Sequence, residues 1–107
     1  MSGEMADVRA IALEVFADNF YWRIRDWKLA QINKLALQKL CEIYERFLAK
    51  FGDALSEEKR KKMEERVKYI RDHEIKEAEE VTERYYKRLV EIQKEVEKLL
   101  GESLCLE

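Results

Sequence analysis

The chain has 107 residues, of which 47% are hydrophobic, 10% aromatic and 41% charged, and its formal net charge is −2. This length predicts one domain, and the composition argues against disorder and is typical of long helices with solvated faces. The slight acid excess gives no global field that would attract nucleic acid or a membrane surface. Dense charge without proline fits a thermophile protein or a designed one.

Targeting signals and membrane spans are not evident in the sequence. No stretch approaches about 18 uncharged apolar residues, which excludes a transmembrane helix. Glu4 and Asp7 stand where a signal peptide would need its apolar core. We therefore expect a cytoplasmic protein. In a helical hairpin Cys41 and Cys105 would lie far apart, so we expect reduced thiols and no disulfide.

The first predicted helix covers residues 5–50 and has two apolar stripes. One recurs at a strict seven-residue step, as in a coiled-coil seam, and Leu40 and Phe47 extend it near the turn. The other lies almost opposite, because residues two apart differ by about 200° around a helix. The seven-step stripe is Val8, Val15, Trp22, Leu29, Ala36 and Ile43; the second is Leu13, Phe16, Phe20, Ile24 and Trp27. The Asp18-Asn19 pair leaves open a break in this helix.

Residues 51–56 predict a tight turn. Gly52 follows the helical run, where glycine is a common C-cap because it reaches the left-handed conformation without a Cβ clash. Ser56 is a good N-cap, and Glu57 and Glu58 follow where the helix dipole favours negative charge. A stop followed at once by a start indicates the loop of a helical hairpin.

The second predicted helix covers residues 57–100 and ends before Gly101. Its apolar residues form one narrow stripe with a mean step close to the ~3.6 residues of a straight helix. Opposite charges in i,i+4 order, such as Glu58 and Lys62, stabilise the remaining surface. The stripe consists of Met63, Val67, Ile70, Ala78, Val81, Tyr85, Leu89, Ile92, Val96 and Leu99. This helix therefore has a single partner face.

The difference between the helices predicts an oligomer. The single apolar stripe of helix 2 is expected to pack against the seven-step stripe of helix 1. The second stripe of helix 1 is then left in water. Monomers rarely expose an apolar patch of that size. We therefore predict an all-α antiparallel helical hairpin that dimerises into a four-helix bundle. The predicted homodimer interface is Leu13, Phe16, Phe20, Ile24 and Trp27.

Asn19, Asp26 and Asn33 recur at the edge of the seven-step stripe. In the predicted hairpin the numbers of opposite residues should sum to about 107, which places Asn33 near His73 and Glu74. One interpretation is an interior polar site, with metal binding as one role, that Asp26 would form with His73, Glu74 and Glu77. The other is that the three residues set helix register and partner number. Ile70 stands where a Glu-x-x-His metal motif would need glutamate, so we expect the register role, with no metal and no cofactor.

Residues 59–71 are the strongest candidate for contact with nucleic acid, because phosphate contacts need Lys and Arg. Residues 20–28 interleave aromatic and basic side chains, as base stacking would need. The acidic block at 72–83 favours instead a solvated face or pairing between chains. The candidate phosphate contacts are Lys59, Arg60, Lys61, Lys62, Arg66, Lys68 and Arg71.

Arg66 and His73 enclose six residues of the second helix. This spacing resembles the Arg-x(4–6)-His element of the helical HEPN ribonucleases over eight residues, and the resemblance implies a catalytic pair acting on RNA at a dimer cleft. No glycine-rich phosphate loop or nucleophile–base group is visible. We expect a non-catalytic, self-associating scaffold or protein-interaction module. The alternative is a nucleic-acid-associated protein, with a HEPN-like ribonuclease as its enzymatic form.

Overall fold

The computed structural model describes residues 3–106, and every regular element in that range is helical. The predicted hairpin of two long antiparallel helices is confirmed, and α1 continues through Asp18 and Asn19 without a break. The two long helical segments are called here the arms, and the second of them, residues 57–100, is the returning arm. A π-helical turn divides the returning arm. The elements are α1 (Gly3–Phe51), a 3-10 turn (Gly52–Ala54), α2 (Glu57–Tyr69), the π turn (Ile70–Glu74) and α3 (Ile75–Leu100).

The turn between α1 and α2 is capped by a side chain at its second end. Ser56 Oγ accepts a hydrogen bond from the Lys59 backbone N–H at 3.2 Å, as an N-cap does. The Leu55 N–H donates to the Gly52 carbonyl at 3.2 Å and closes the 3-10 turn. Among the described residues only Gly101 has a positive φ, at 78°. The predicted left-handed cap at Gly52 is therefore wrong, and Gly101 adopts that conformation at the end of α3.

Contacts divide the chain into two compact units. The terminal unit contains the described residues 3–28 and 83–106, and the turn unit contains residues 29–82. α1 contributes one helical segment to each unit, and the returning arm contributes the other. Each unit has its own buried side chains.

The core of the turn unit surrounds Cys41, which has no exposed surface. Its Sγ lies 4.0 Å from the Val67 carbonyl oxygen, and burial raises the pKa of the thiol. Ile70 and Ile75 complete the buried cluster. At the surface of the same unit, Arg71 Nε donates to Glu45 Oε1 at 2.7 Å and joins the two arms.

The core of the terminal unit is built around Leu89, which is also fully buried. Trp27 is 8% exposed, and its ring lies 5.3 Å from that of Tyr86. After Gly101 the tail turns back along α3. The Leu104 N–H donates to the Glu97 carboxylate at 2.8 Å, and the Leu104 carbonyl accepts from Gln93 Nε2 at 3.0 Å.

The two stripes of α1 have the opposite roles from those predicted. All six residues of the seven-step stripe, from Val8 to Ile43, are exposed. The second stripe packs within the chain: Trp27 is buried, and the residues from Leu13 to Ile24 are half-buried. The physical reason is that Leu13, Ile24, two phenylalanines and a tryptophan together remove more apolar area from water than Val8, Val15 and Trp22 would.

The π turn corrects the phase of the second arm. Val67, Ile70, Ile75 and Ala78 are buried, so the step between the two isoleucines is five residues. A regular α-helix would place Glu74 on the buried face at that point. The wider π turn absorbs one residue, which leaves Glu74 half-buried and brings Ile75 into the core. The predicted uniform stripe of helix 2 is therefore interrupted.

Candidate functional site

The terminal unit exposes a row of large apolar side chains on α1, called here the terminal outer row. Its members are 56–64% exposed. Near its end the Arg25 guanidinium lies 5.2 Å from the Trp22 ring, and Tyr21 meets the same ring edge-on at 5.2 Å. The row consists of Met5, Val8, Ile11, Val15 and Trp22.

The turn unit carries a comparable set on its own segment of α1, called the turn outer row. Its members are 40–62% exposed. At the end nearest the turn, Phe47 packs on Phe51 with ring centroids 5.2 Å apart. The row consists of Leu29, Ile32, Leu35, Ile43 and Phe47.

These rows bear on the predicted dimer interface. The reason for assigning Leu13, Phe16, Phe20, Ile24 and Trp27 to a second chain was that helix 2 could not reach them. That premise is wrong, because Trp27 contacts Tyr86 of α3 in the same chain. The apolar surface left in water lies on the other face of α1. Neither predicted stripe contains Ile11 or Ile32, although each follows a seven-step residue by three positions, the spacing of a coiled-coil seam.

The three polar residues predicted to set the register are not in the core. Asn19 is exposed, and its Nδ2 donates to the Val15 carbonyl at 3.1 Å within α1. Asp26 is half-buried and Asn33 is exposed. No polar or charged residue among those described is buried. A role of these residues in setting register or partner number remains a prediction.

A cleft of about 360 Å³ opens in the turn unit beside the π turn. Asn33, Glu74 and Glu77 supply its polar lining, as the predicted pairing of Asn33 with Glu74 requires. His73 does not line it; the imidazole packs on Tyr69 with ring centroids 4.9 Å apart. Within residues 3–106, no three His, Cys, Asp or Glu side chains are grouped so as to hold a metal ion. The cleft offers two carboxylates and an amide.

A second groove of the turn unit, of about 570 Å³, is basic and aromatic. Lys59, Lys62 and Arg66 line it together with Tyr44 and Tyr69, and Glu65 adds one carboxylate, so bases exceed acids by two. The Arg66 guanidinium lies 5.6 Å from the Tyr44 ring centroid, a cation–π distance. We call it the basic groove. The basic stretch by itself does not point to Tyr44, although the hairpin pairing of residues summing to about 107 places Tyr44 opposite Met63.

The seven basic residues predicted for phosphate contact are only partly neutralised by the protein. Lys62 pairs with Glu58 at 3.2 Å, Arg60 with Glu64 at 4.0 Å, and Arg71 with Glu45. The hydrogen bond from Glu45 raises the pKa of Arg71. Lys59, Lys61 and Lys68 are exposed.

The structure separates the surroundings of Arg66 and His73, the pair that resembles the HEPN element. The Arg66 guanidinium stacks on Tyr44 and lines the basic groove, whereas His73 packs on Tyr69 and lines neither the groove nor the cleft. Each side chain has an aromatic neighbour of its own. Their joint use in catalysis remains a prediction.

Comparison with protein-family models, with curated proteins and with solved structures gives no match for this chain. None of the helices described for residues 3–106 combines the length and apolar content needed to cross a bilayer.

Proposed function

We propose that the protein is a non-catalytic helical scaffold or interaction module that self-associates, with a second copy covering the outer rows of α1. The observation that supports this is the exposure of large apolar side chains along one helix, each 40–64% accessible. Extended apolar patches are uncommon on monomers. Full burial of such a side chain contributes about 1.5–3 kcal/mol, so completing the burial of these half-exposed ones contributes roughly 1 kcal/mol each.

The proposed interface differs from the one predicted from sequence, and substitutions separate the two. Trp22→Glu and Leu29→Glu place a carboxylate in the terminal and turn outer rows. Ala17→Glu and Gln38→Glu add the same charge to exposed positions of α1 outside these rows. Sedimentation equilibrium at micromolar concentration is expected to show dimers for the unmodified chain and both controls. The two outer-row variants should be monomeric with unchanged helical circular dichroism.

Phe20→Glu serves as the contrasting variant, because Phe20 is half-buried within its own chain. We expect it to lower the melting temperature of the monomer rather than only to dissociate the dimer, since it places a charge against the core. A monomeric unmodified chain at 100 μM (roughly the range of weak dimers) would exclude the proposed self-association. Dissociation by the Ala17 and Gln38 variants alone would place the interface elsewhere.

A second candidate function is nucleic-acid binding in the basic groove. The observation that favours it is the meeting of Lys59, Lys62 and Arg66 with two tyrosine rings in one groove. Phosphate contacts and base stacking use these two kinds of side chain. Titration with RNA and DNA tests this function when the unmodified chain is compared with a variant in which Lys62 and Arg66 are replaced by glutamate.

A further inference from the structure

Resting on the proposed self-association, we propose that two copies of the terminal unit meet with their α1 helices antiparallel, the acidic half of one against the basic half of the other. The occupant of the terminal outer row is thus a second copy in a defined orientation. The inference comes from how charge is distributed along residues 4–28.

The α1 segment of the terminal unit is acidic in its first half and basic in its second. Residues 4–18 hold four acids against Arg9, and residues 23–28 hold three bases against Asp26. Arg23 and Asp26 are both half-buried, whereas Arg25 and Lys28 are exposed, so the exposed charge of the second half is basic. The acids are Glu4, Asp7, Glu14 and Asp18, and the bases are Arg23, Arg25 and Lys28.

These charges have no salt-bridge partner within residues 3–106. Among the described residues, every salt bridge joins side chains from Lys39 onwards, and none involves residues 4–28. Glu14 and Asp18 are even like charges at i,i+4, which destabilises an isolated helix. α2 and α3 differ, because ion pairs such as Lys62–Glu58 and Lys87–Glu83 neutralise their charges locally. The terminal segment of α1 therefore presents two unneutralised blocks of opposite sign.

Asp7, Glu14 and Lys28 each stand one position before a residue of the seven-step stripe and so lie along one edge of the apolar row. The order of the two blocks determines which orientation is favourable. A parallel dimer would bring acidic half against acidic half, whereas an antiparallel dimer brings each acid block to a basic block. A two-fold axis near Ala17 places Asp7 opposite Lys28 of the other copy. Ile11 lies level with Trp22 when the axis moves by one residue, about 1.5 Å, from that position, so the charge pairing and the apolar contact fit neighbouring registers.

Distances between spin labels test the orientation directly. Ala10 and Ala17 are both exposed, lie seven residues apart and so share one side of α1. In the antiparallel dimer the two Ala10 positions are offset by about 21 Å along the axis, and the two Ala17 positions by almost nothing, at ~1.5 Å per residue. A parallel dimer makes the two separations equal.

The measurement uses the full chain with Cys105→Ser, carrying either Ala10→Cys or Ala17→Cys; Cys41 is buried and stays unlabelled. We expect the Ala10 label pair to be longer than the Ala17 pair by roughly 10 Å or more, given the axial offset and interhelical spacing. Equal distances in a sedimenting dimer overturn the antiparallel arrangement and leave self-association standing. A monomer in sedimentation overturns both the self-association and the antiparallel arrangement. That outcome includes the case in which a different protein covers the terminal outer row.

Charge reversal tests the physical cause. Asp7→Lys or Lys28→Asp alone should raise the dimer dissociation constant roughly threefold to tenfold at low salt, because each places two like-charge contacts in the dimer. The double variant Asp7→Lys with Lys28→Asp should restore it to within roughly twofold, since it re-forms both pairs with reversed polarity. In a parallel dimer the double variant gives no rescue, and that result would overturn the proposal.

Discussion

Small buried side chains allow the two arms of the turn unit to approach. Ala30 and Cys41 on α1 and Ala78 on α3 are all buried. With Trp27, Lys34 and Leu48, Cys41 belongs to a seven-residue series on the inward face of α1, and Lys34 interrupts its apolar character. An apolar pattern search therefore ranks this face below the uninterrupted outer one, although it is the face that packs.

Glycine substitution is a test at the same scale. Gly101 has φ of 78°, a conformation that alanine adopts only with strain, whereas Gly52 has no positive φ. A Cβ at either position meets nothing within 4 Å, so steric contact does not distinguish them. Gly101→Ala should lower the free energy of unfolding by about 1 kcal/mol or more, and Gly52→Ala should leave it unchanged or raise it slightly. Urea unfolding measures both; equal losses would contradict the assignment of strain to Gly101.

Among the elements, α1 is apolar on two faces and the returning arm on one. The arm keeps its single face only because the π turn absorbs a residue between Ile70 and Ile75. The five-residue step between these isoleucines is visible in the sequence, and a stripe that passes from Ile70 to Ala78 misses it. The π turn also brings Glu74 to the cleft beside Asn33.

Single-residue deletions test this role of the π turn. Removing Asp72, an exposed residue of the turn, should convert it to α-helix while Val67 and Ala78 keep their buried positions. Removing Glu80, an exposed residue of regular helix, rotates the rest of α3 by about 100° and takes Leu89 off the core face. We expect a loss of about 3 kcal/mol or more for the second deletion and much less for the first. Thermal unfolding followed by circular dichroism compares them, and similar losses would show that the turn does not correct the phase.

For the whole molecule, net charge opposes the local character of the basic groove. The chain has a formal charge of −2, while Lys59, Lys62 and Arg66 lie together in one groove. Non-specific affinity for nucleic acid grows with the number of phosphates neutralised, and three bases neutralise few. Self-association by the outer rows thus remains the better supported function.

A titration with mixed-sequence RNA and DNA measures whether the acidic net charge or the bases of the basic groove dominate the affinity for nucleic acid. At about 0.15 M salt we expect no binding tighter than ~10⁻⁵ M. Lys62→Glu with Arg66→Glu removes two groove charges, and Lys61→Glu with Lys68→Glu is the matched control because neither residue lines the groove. Salt-sensitive submicromolar binding that is lost in the groove variant and kept in the control would contradict the scaffold proposal and favour the nucleic-acid function.

The sequence by itself determined the hairpin. Unbroken helical stretches, the Ser56 cap and the acidic first turn of α2 are local signals, and each acts through the backbone of its own segment. The pairing of Asn33 with Glu74 could also be predicted from the sequence, because the position of the turn sets which residues of two antiparallel helices lie opposite each other. These features need no knowledge of what the distant segments contact.

Only the tertiary structure decided which face of α1 turns inward. Both faces are apolar at a helical period, and the uninterrupted seven-residue step favours the outer face, which is the one that stays exposed. The choice depends on the surface of the returning arm. There the Tyr86 ring contacts Trp27, and the shift in helical phase at the π turn places Ile75 in the buried cluster with Cys41. Burial of the larger aromatic side chains is a property of both arms together, because the apolar area removed from water exists only once they are packed.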